Sequence, residues 1–263
     1  MRFTRSIRQS VRSLIRLVIL LATAGEYCVR FLVRRVRGPL SLSQRALWLH
    51  ESCRMGLRRL KIPVTVEGVF PSRGLLISNH LSYLDILVYS SLSPCVFVSK
   101  KEVRSWPIFG QMAWMAGTVF IDRSRSADAH RVNTEMQNAL ASGAVVVLFP
   151  EGTSSDGTAV LPFRPALFEG AIGAGEPVTP AHLHYEVSNG TPESDICYWG
   201  SMTFSPHLLR LLSRNGVRAI IRFAPAPRNF DDRKVAAQET HEMVLELGQL
   251  LPAKAKETLP ASH

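Results

Sequence analysis

Residues 78–85, Ser-Asn-His-Leu-Ser-Tyr-Leu-Asp, place His80 and Asp85 with four residues between them, directly after the apolar run Leu75–Ile77. Inside one regular helix, five positions would rotate the two side chains about 140° apart. The spacing therefore does chemistry only if it straddles a bend. Ser82, then Asp85, then Ile86-Leu87-Val88 reads as a helix N-terminal capping box with Asp in the place of Glu. His80 is then expected on a strand-to-helix turn and Asp85 in the first helical turn, where a carboxylate can reach back to an imidazole. Three more stretches follow apolar runs: 117–124 carries Asp122 and Arg123, 149–157 carries Glu151 in a Gly- and hydroxyl-rich turn, and 161–168 carries Arg164 before a Pro-started segment. Each alone is ordinary loop chemistry. Together they would put a base, two guanidiniums, a carboxylate and free backbone N–H groups on one side of one sheet.

The elements that must position these groups are legible as short apolar runs alternating with helical patterns. Val64–Val69, Leu75–Ser78, Val96–Ser99, Thr118–Ile121, Val145–Phe149, Val178–Leu183 and Val217–Phe223 read as strands. Residues 43–60, Asp85–Leu92, Pro107–Met115, Ala127–Ala141, Pro165–Gly173, Pro206–Ser213 and Arg233–Leu250 read as helices. Such alternation predicts an α/β fold: a mixed, largely parallel sheet flanked by helices, with ligands at the carboxyl ends of its strands. The expected organisation is an N-terminal helical region over 1–60, an α/β domain over 61–251 and a tail over 252–263.

The net charge of +10 is concentrated in residues 1–37, which hold nine arginines against a single acid, Glu26. A nucleic-acid binder would spread basic charge over a folded face, so a basic terminal arm is the better description and no nucleic-acid partner is expected. Arg2, Arg5, Arg8, Arg12 and Arg16 share one helical side with Arg30, Arg34 and Arg37, and Phe3, Ile7, Val11, Leu14, Val18, Leu21, Val29 and Leu32 fall opposite. This amphipathic pattern predicts a helix lying in the plane of an anionic membrane surface, on the cytoplasmic side. A single span ranks second, because the longest uncharged run is only Leu17–Gly25; a signal segment ending near Ala22-Thr23-Ala24 ranks third. The four cysteines are widely spaced without a C-x-x-C pair, which argues against a disulfide framework or a zinc site.

The ordered set His80-x₄-Asp85, Gly117-x-x-Phe120-Ile121-x-Arg123, Phe149-Pro150-Glu151-Gly152-Thr153 and Val178-Thr179-Pro180 resembles the four motif blocks of the glycerolipid and lysophospholipid acyltransferase family, whose best-known members acylate 1-acylglycerol-3-phosphate. The resemblance runs over roughly residues 60–225. It implies an O-acyltransferase that moves a fatty acyl group from an acyl thioester to the free hydroxyl of a lysolipid. It further implies that His80 is the general base and that Asp85 fixes its tautomer and stabilises the imidazolium. Arg123, Glu151, Gly152 and Thr153 would hold the acceptor's glycerol and head, with Arg164 as a further phosphate partner. The attacking hydroxyl belongs to the lipid, so no protein nucleophile, metal or cofactor is needed. The co-substrate is acyl-CoA or acyl-carrier protein, and the charge of Lys100, Lys101 and Arg104 suits either.

One position departs from the family pattern. Ser154 stands where many members with phosphate acceptors carry Arg after Glu-Gly-Thr, and Asp156 follows closely. A guanidinium lost and a carboxylate gained make this loop less favourable to a dianionic phosphate. Two acceptors stay open, lysophosphatidate first and an amino-acid lysolipid such as lyso-ornithine lipid second. Readings from other classes are a metal hydrolase built from His80, Asp85, His182 and His184, and a non-catalytic membrane-binding module that needs only the arm.

Overall fold

The structure, a computed structural model, describes residues 2–106, 109–121 and 126–249, with the side chains of 2–6 and 126–130 outside the description. The seven apolar runs form seven strands: β1 (Val64–Glu67), β2 (Leu75–Ser78), β3 (Cys95–Lys100), β4 (Val119–Ile121), β5 (Val145–Leu148), β6 (Val178–Glu186) and β7 (Arg218–Phe223). They make one sheet in the order β1-β7-β6-β2-β5-β3-β4. Every adjacent pair is parallel except β6 with β7. The mixed, largely parallel sheet expected from the alternation is thus observed. All four residues of β2 and of β5 are buried, as continuous apolar strands covered on both faces must be. Two strand ends differ from expectation by more than one residue. β1 stops at Glu67 because Gly68 takes φ +85° and turns the chain out. β6 runs past Leu183 to Glu186 because its antiparallel ladder with β7 continues to the Glu186–Arg218 pair.

Nine helices are described: α1 (Arg2–Val36), α2 (Leu42–Leu60), α3 (Leu84–Leu92), α4 (Phe109–Met115), α5 (Ser126–Ala141), α6 (Glu169–Gly173), α7 (Pro192–Asp195), α8 (Phe204–Ser213) and α9 (Arg233–Gln249). The expected helix at 165–173 is instead a 3-10 turn, Pro165–Leu167, followed by the short α6. The expected helix starting at Pro107, the position Leu250 and the tail 252–263 lie wholly or partly outside the described residues. α2 begins with a complete capping box, Ser41 with Gln44, and buries Trp48, Leu49, Cys53 and Leu57 against the sheet. Together with Tyr27 and Phe31 of α1, Val88 of α3 and Leu211 of α8, these residues share a core with Leu76, Leu183 and Ile221 of the sheet. The opposite sheet face, with Leu75, Ile77 and Val146, packs on α5, α6 and α9. Helices thus cover the sheet on both sides.

At 35 residues, α1 is about 52 Å long. Its apolar side is as the sequence wheel places it: Ile7, Val11, Leu14, Val18, Leu21, Val29 and Leu32 are all exposed. Phe3, Arg2 and Arg5 have side chains outside the description. The expected cationic side is corrected in part. Arg12 donates to Ser213 O at 3.0 Å, and Arg16 donates to Leu212 O at 3.2 Å and to Arg214 O. These two guanidiniums bind the last carbonyls of α8, which have no partner within the helix and carry the negative end of its dipole. Arg30 pairs with Glu26 and Arg34 with Glu51. No helix among the described residues is long and apolar enough to cross a membrane.

Candidate active site

β2, β5, β3, β4 and β6 run in one direction, so the residues that follow them gather at one edge of the sheet. Asn79 sets where β2 stops: its side-chain amide donates to Leu183 O at 2.9 Å and accepts from Leu183 N at 2.8 Å, closing the ladder with β6. Ser78 donates to Asn79 Oδ1 and is itself bonded by the Tyr89 hydroxyl at 2.6 Å, which fixes the amide's orientation. The next residue, His80, is therefore the first one free of the strand.

Asp85 does reach back across the bend. Its Oδ2 lies 2.7 Å from His80 Nδ1 and also accepts the N–H of Leu81 at 2.7 Å and of Ser82 at 3.0 Å. Its Oδ1 accepts the Tyr185 hydroxyl at 2.7 Å. A carboxylate with four donors, fully buried, is held in a single orientation. Because a carboxylate only accepts, Nδ1 carries the proton, and Nε2 is the nitrogen left to the cavity that His80 lines. The capping box is only half present: Asp85 accepts from Ser82 N–H, but the buried Ser82 hydroxyl has no partner and α3 starts at Leu84 after an uncapped Tyr83. The carboxylate half suffices, since it satisfies the donors at the helix entry.

The loop after β5 encloses His80 from the other side. Phe149 stacks on the imidazole with ring centroids 4.2 Å apart and an 11° interplanar angle. Glu151 Oε1 accepts His80 N–H at 2.9 Å, and Ser155 N–H donates to His80 O at 2.9 Å. Gly152, at φ +73°, makes the left-handed turn that separates Glu151 from the residues after it. Gly152, Thr153 and Ser154 line the cavity; Glu151 is only 2% exposed and does not. Burial drives the Glu151 carboxyl up to about 8, with the Asp85 carboxylate adding to the rise and the amides of His80 and Leu161 opposing it.

The cavity encloses about 780 Å³, within the roughly 300–1,000 Å³ of small-molecule sites. From His80 it extends along an apolar wall to Cys53 and Gly56 of α2 and to Leu17, Leu20 and Leu21 of α1. The other wall carries Tyr83, Trp106, Tyr198 and Trp199. Ser154 donates its hydroxyl to Tyr198 O.

Of the residues singled out by sequence, His80, Gly152 and Thr153 meet at this cavity, with Asp85 directly behind His80. Glu151 lies beside the cavity and not in its lining, with its Oε1 on the His80 amide. The Arg164 backbone N–H bonds Pro150 O, while its side chain is exposed and is not part of the lining. Arg123 lies outside the described residues. His182 and His184 share the face of β6 opposite to Leu183 and Tyr185, so they cannot join His80 and Asp85 around a metal. Tyr185 and Asn79 are the functional residues that sequence reasoning missed. Asn79 lay within the quoted stretch, but its partner in β6 is 104 positions away.

The chain matches the Acyltransferase family model over residues 61–184. It is 33% identical over 208 residues to a lyso-ornithine lipid O-acyltransferase of Pseudomonas aeruginosa, covering 78% of each protein. Over a shorter stretch of 120 residues it is 41% identical to a 1-acyl-sn-glycerol-3-phosphate acyltransferase of Neisseria gonorrhoeae, covering 46% of this chain and 47% of that one. In fold it is similar to the crystal structure of the 1-acyl-sn-glycerophosphate acyltransferase from Thermotoga maritima, with a TM-score of 0.69 over 98% of this chain and all of that one, at 19% identity. The hydrogen-bonded His80–Asp85 pair thus stands in a chain that belongs to the acyltransferase family, among the enzymes that acylate lysolipids.

Proposed function

We propose that His80 Nε2 takes the proton from the free hydroxyl of a lysolipid as that oxygen attacks the carbonyl of an acyl thioester. The observation that carries this reading is the 2.7 Å His80–Asp85 contact at the polar end of an apolar cavity. Asp85 stabilises the imidazolium that forms, and collapse of the tetrahedral intermediate expels the thiolate, which recovers the proton from His80. The apolar wall toward Gly56 and Leu20 accommodates a fatty chain. The donor is acyl-CoA or acyl-carrier protein, whose thioester arms are alike.

The reaction takes place at a membrane surface, with α1 as the docking element. Leu21 is both exposed and part of the cavity lining, so the cavity meets the surface beside the apolar stripe of α1, which suits entry of lipid from a bilayer. Since Arg12 and Arg16 are engaged by α8, docking rests more on the apolar stripe than on cationic attraction.

The acceptor is an amino-acid lysolipid. Ser154 replaces a guanidinium and is tied to Tyr198, Arg164 stays outside the cavity, and among the described residues Lys100 is the only Lys or Arg side chain lining it. The P. aeruginosa relative bears a lyso-ornithine lipid name. Lysophosphatidate is the second reading, favoured by the N. gonorrhoeae relative. The test is incubation of purified protein and its His80→Ala variant with vesicles, acyl-CoA or acyl-carrier protein, and separately lyso-ornithine lipid and lysophosphatidate, with products read by mass spectrometry. Acylation of lyso-ornithine lipid by the native chain alone is expected. Acylation confined to lysophosphatidate overturns the acceptor choice, and turnover by folded His80→Ala protein overturns the mechanism.

A further inference from the structure

We infer that Glu151 is a positioning residue for His80 and not a ligand of the acceptor. The inference rests on His80 as the base. Its starting point is that one loop, 149–155, holds His80 in three ways: the Phe149 ring stacks on the imidazole, Ser155 N–H donates to the His80 carbonyl, and Glu151 accepts from the His80 amide. With Asp85 on Nδ1, the backbone and ring of the base are fixed by contacts from the 149–155 loop and from the first turn of α3.

The His80 amide needs such a partner. The β2–β6 ladder ends at Ser78 and Asn79, so the next N–H has no strand partner, and α3 begins only four residues later. A buried amide without an acceptor is strongly disfavoured. Glu151, reaching over from the end of β5, supplies the oxygen at 2.9 Å. The carboxyl itself is out of a substrate's reach: it is 2% exposed, absent from the cavity lining, and separated from Thr153 and Ser154 by the left-handed turn at Gly152.

The chemistry of the site favours a neutral acid. Oε2 is buried without a well-formed hydrogen bond, and the Leu161 amide near the carboxyl offsets burial only in part, an environment hostile to a charged oxygen. Burial raises the Glu151 carboxyl to about 8, and the titratable group acting on it is the Asp85 carboxylate, which adds to the rise. What His80 requires is thus a carbonyl oxygen, which an amide also provides.

The experiment compares Glu151→Gln, Glu151→Ala and His80→Ala in the native full chain, measuring kcat and the KM for the acceptor with folding checked by circular dichroism. The glutamine variant is expected to keep kcat within about threefold and leave KM unchanged. The alanine variant is expected to lose kcat by roughly 10- to 100-fold, again with KM unchanged, as an interaction with the base and not with the substrate requires. Three results each overturn the inference: a tenfold rise in acceptor KM in the glutamine variant, a folded glutamine variant with activity as low as that of His80→Ala, or an alanine variant with native kcat. Should the alanine variant fail to fold, the glutamine variant alone decides. Turnover by His80→Ala instead removes the base reading itself, so the two failures are distinguishable.

Discussion

Replacing Asp85 with Asn removes the charge behind His80, and the surrounding donors dictate how the amide must sit. Two backbone N–H groups, Leu81 and Ser82, aim at Oδ2 together with His80 Nδ1. An NH₂ group in that position would oppose two fixed donors, so the asparagine oxygen has to occupy it. Its nitrogen then faces the Tyr185 hydroxyl, which can rotate and accept. His80 keeps its Nδ1 proton and its tautomer, and only the charge is lost. Two unit charges about 4 Å apart at an effective dielectric of ~20 attract by about 4 kcal/mol. The His80 side chain is 21% exposed, and screening at that edge leaves ~3 kcal/mol of imidazolium stabilisation, a loss of ~10²-fold in kcat. The assay is steady-state acyl transfer for native, Asp85→Asn and His80→Ala proteins. An asparagine variant as inactive as His80→Ala, ~10⁴-fold down or more, would mean that the amide sits the other way and inverts the tautomer, refuting the orientation argument.

Tyr185→Phe should leave kcat within about fivefold, because three donors remain on Asp85, but remove a bond to a buried carboxylate worth ~2 kcal/mol, lowering the melting temperature by about 5 °C; an unchanged melting temperature contradicts this. Leu14→Asp with Val18→Asp, two exposed positions on α1, should abolish vesicle binding without unfolding the chain. Arg12→Ala with Arg16→Ala should do the reverse, lowering the melting temperature by several degrees while most vesicle binding survives, and co-sedimentation with neutral and anionic vesicles separates the two. The Glu151 carboxyl titrates near 8 in the folded chain and near 4.5 when unfolded. The folded state must therefore hold a proton that the unfolded chain releases, so stability falls as pH rises from 4.5 to 8 and levels off above. Glu151→Gln lacks this penalty and should gain ~3 kcal/mol on the native chain by pH 7. Denaturant unfolding between pH 5 and 9 measures the difference, and parallel curves would show that the carboxyl is not held neutral.

Much of the fold was legible locally. Leu75–Ile77 and Val145–Leu148 are short and apolar at every position, as strands covered on both faces are, and their alternation with helical stretches implied the parallel sheet. The contact between His80 and Asp85 was legible because they lie on one turn, where five positions of backbone decide whether they meet. The apolar stripe of α1 followed from the helical period alone, and it is exposed where the wheel places it.

What sequence could not decide were matters of partners distant along the chain. Glu151 and Thr153 are two residues apart and equally polar, yet one turns onto the His80 amide and the other into the cavity; the choice comes from the turn at Gly152 and from where β2 ends beside β5. Arg12 and Arg16 read as membrane-facing charge until α8, some 200 positions later, presents its unpaired carbonyls to them. Tyr185 and Asn79 acquire their roles only because β6 lies beside β2. The sequence by itself determined the elements and the groups within one turn of each other, because short-range sterics and hydrophobic period act on neighbours. Only the tertiary structure decided which buried donor meets which acceptor, because that depends on strand order, and satisfying buried polar groups is a property of the whole packed sheet.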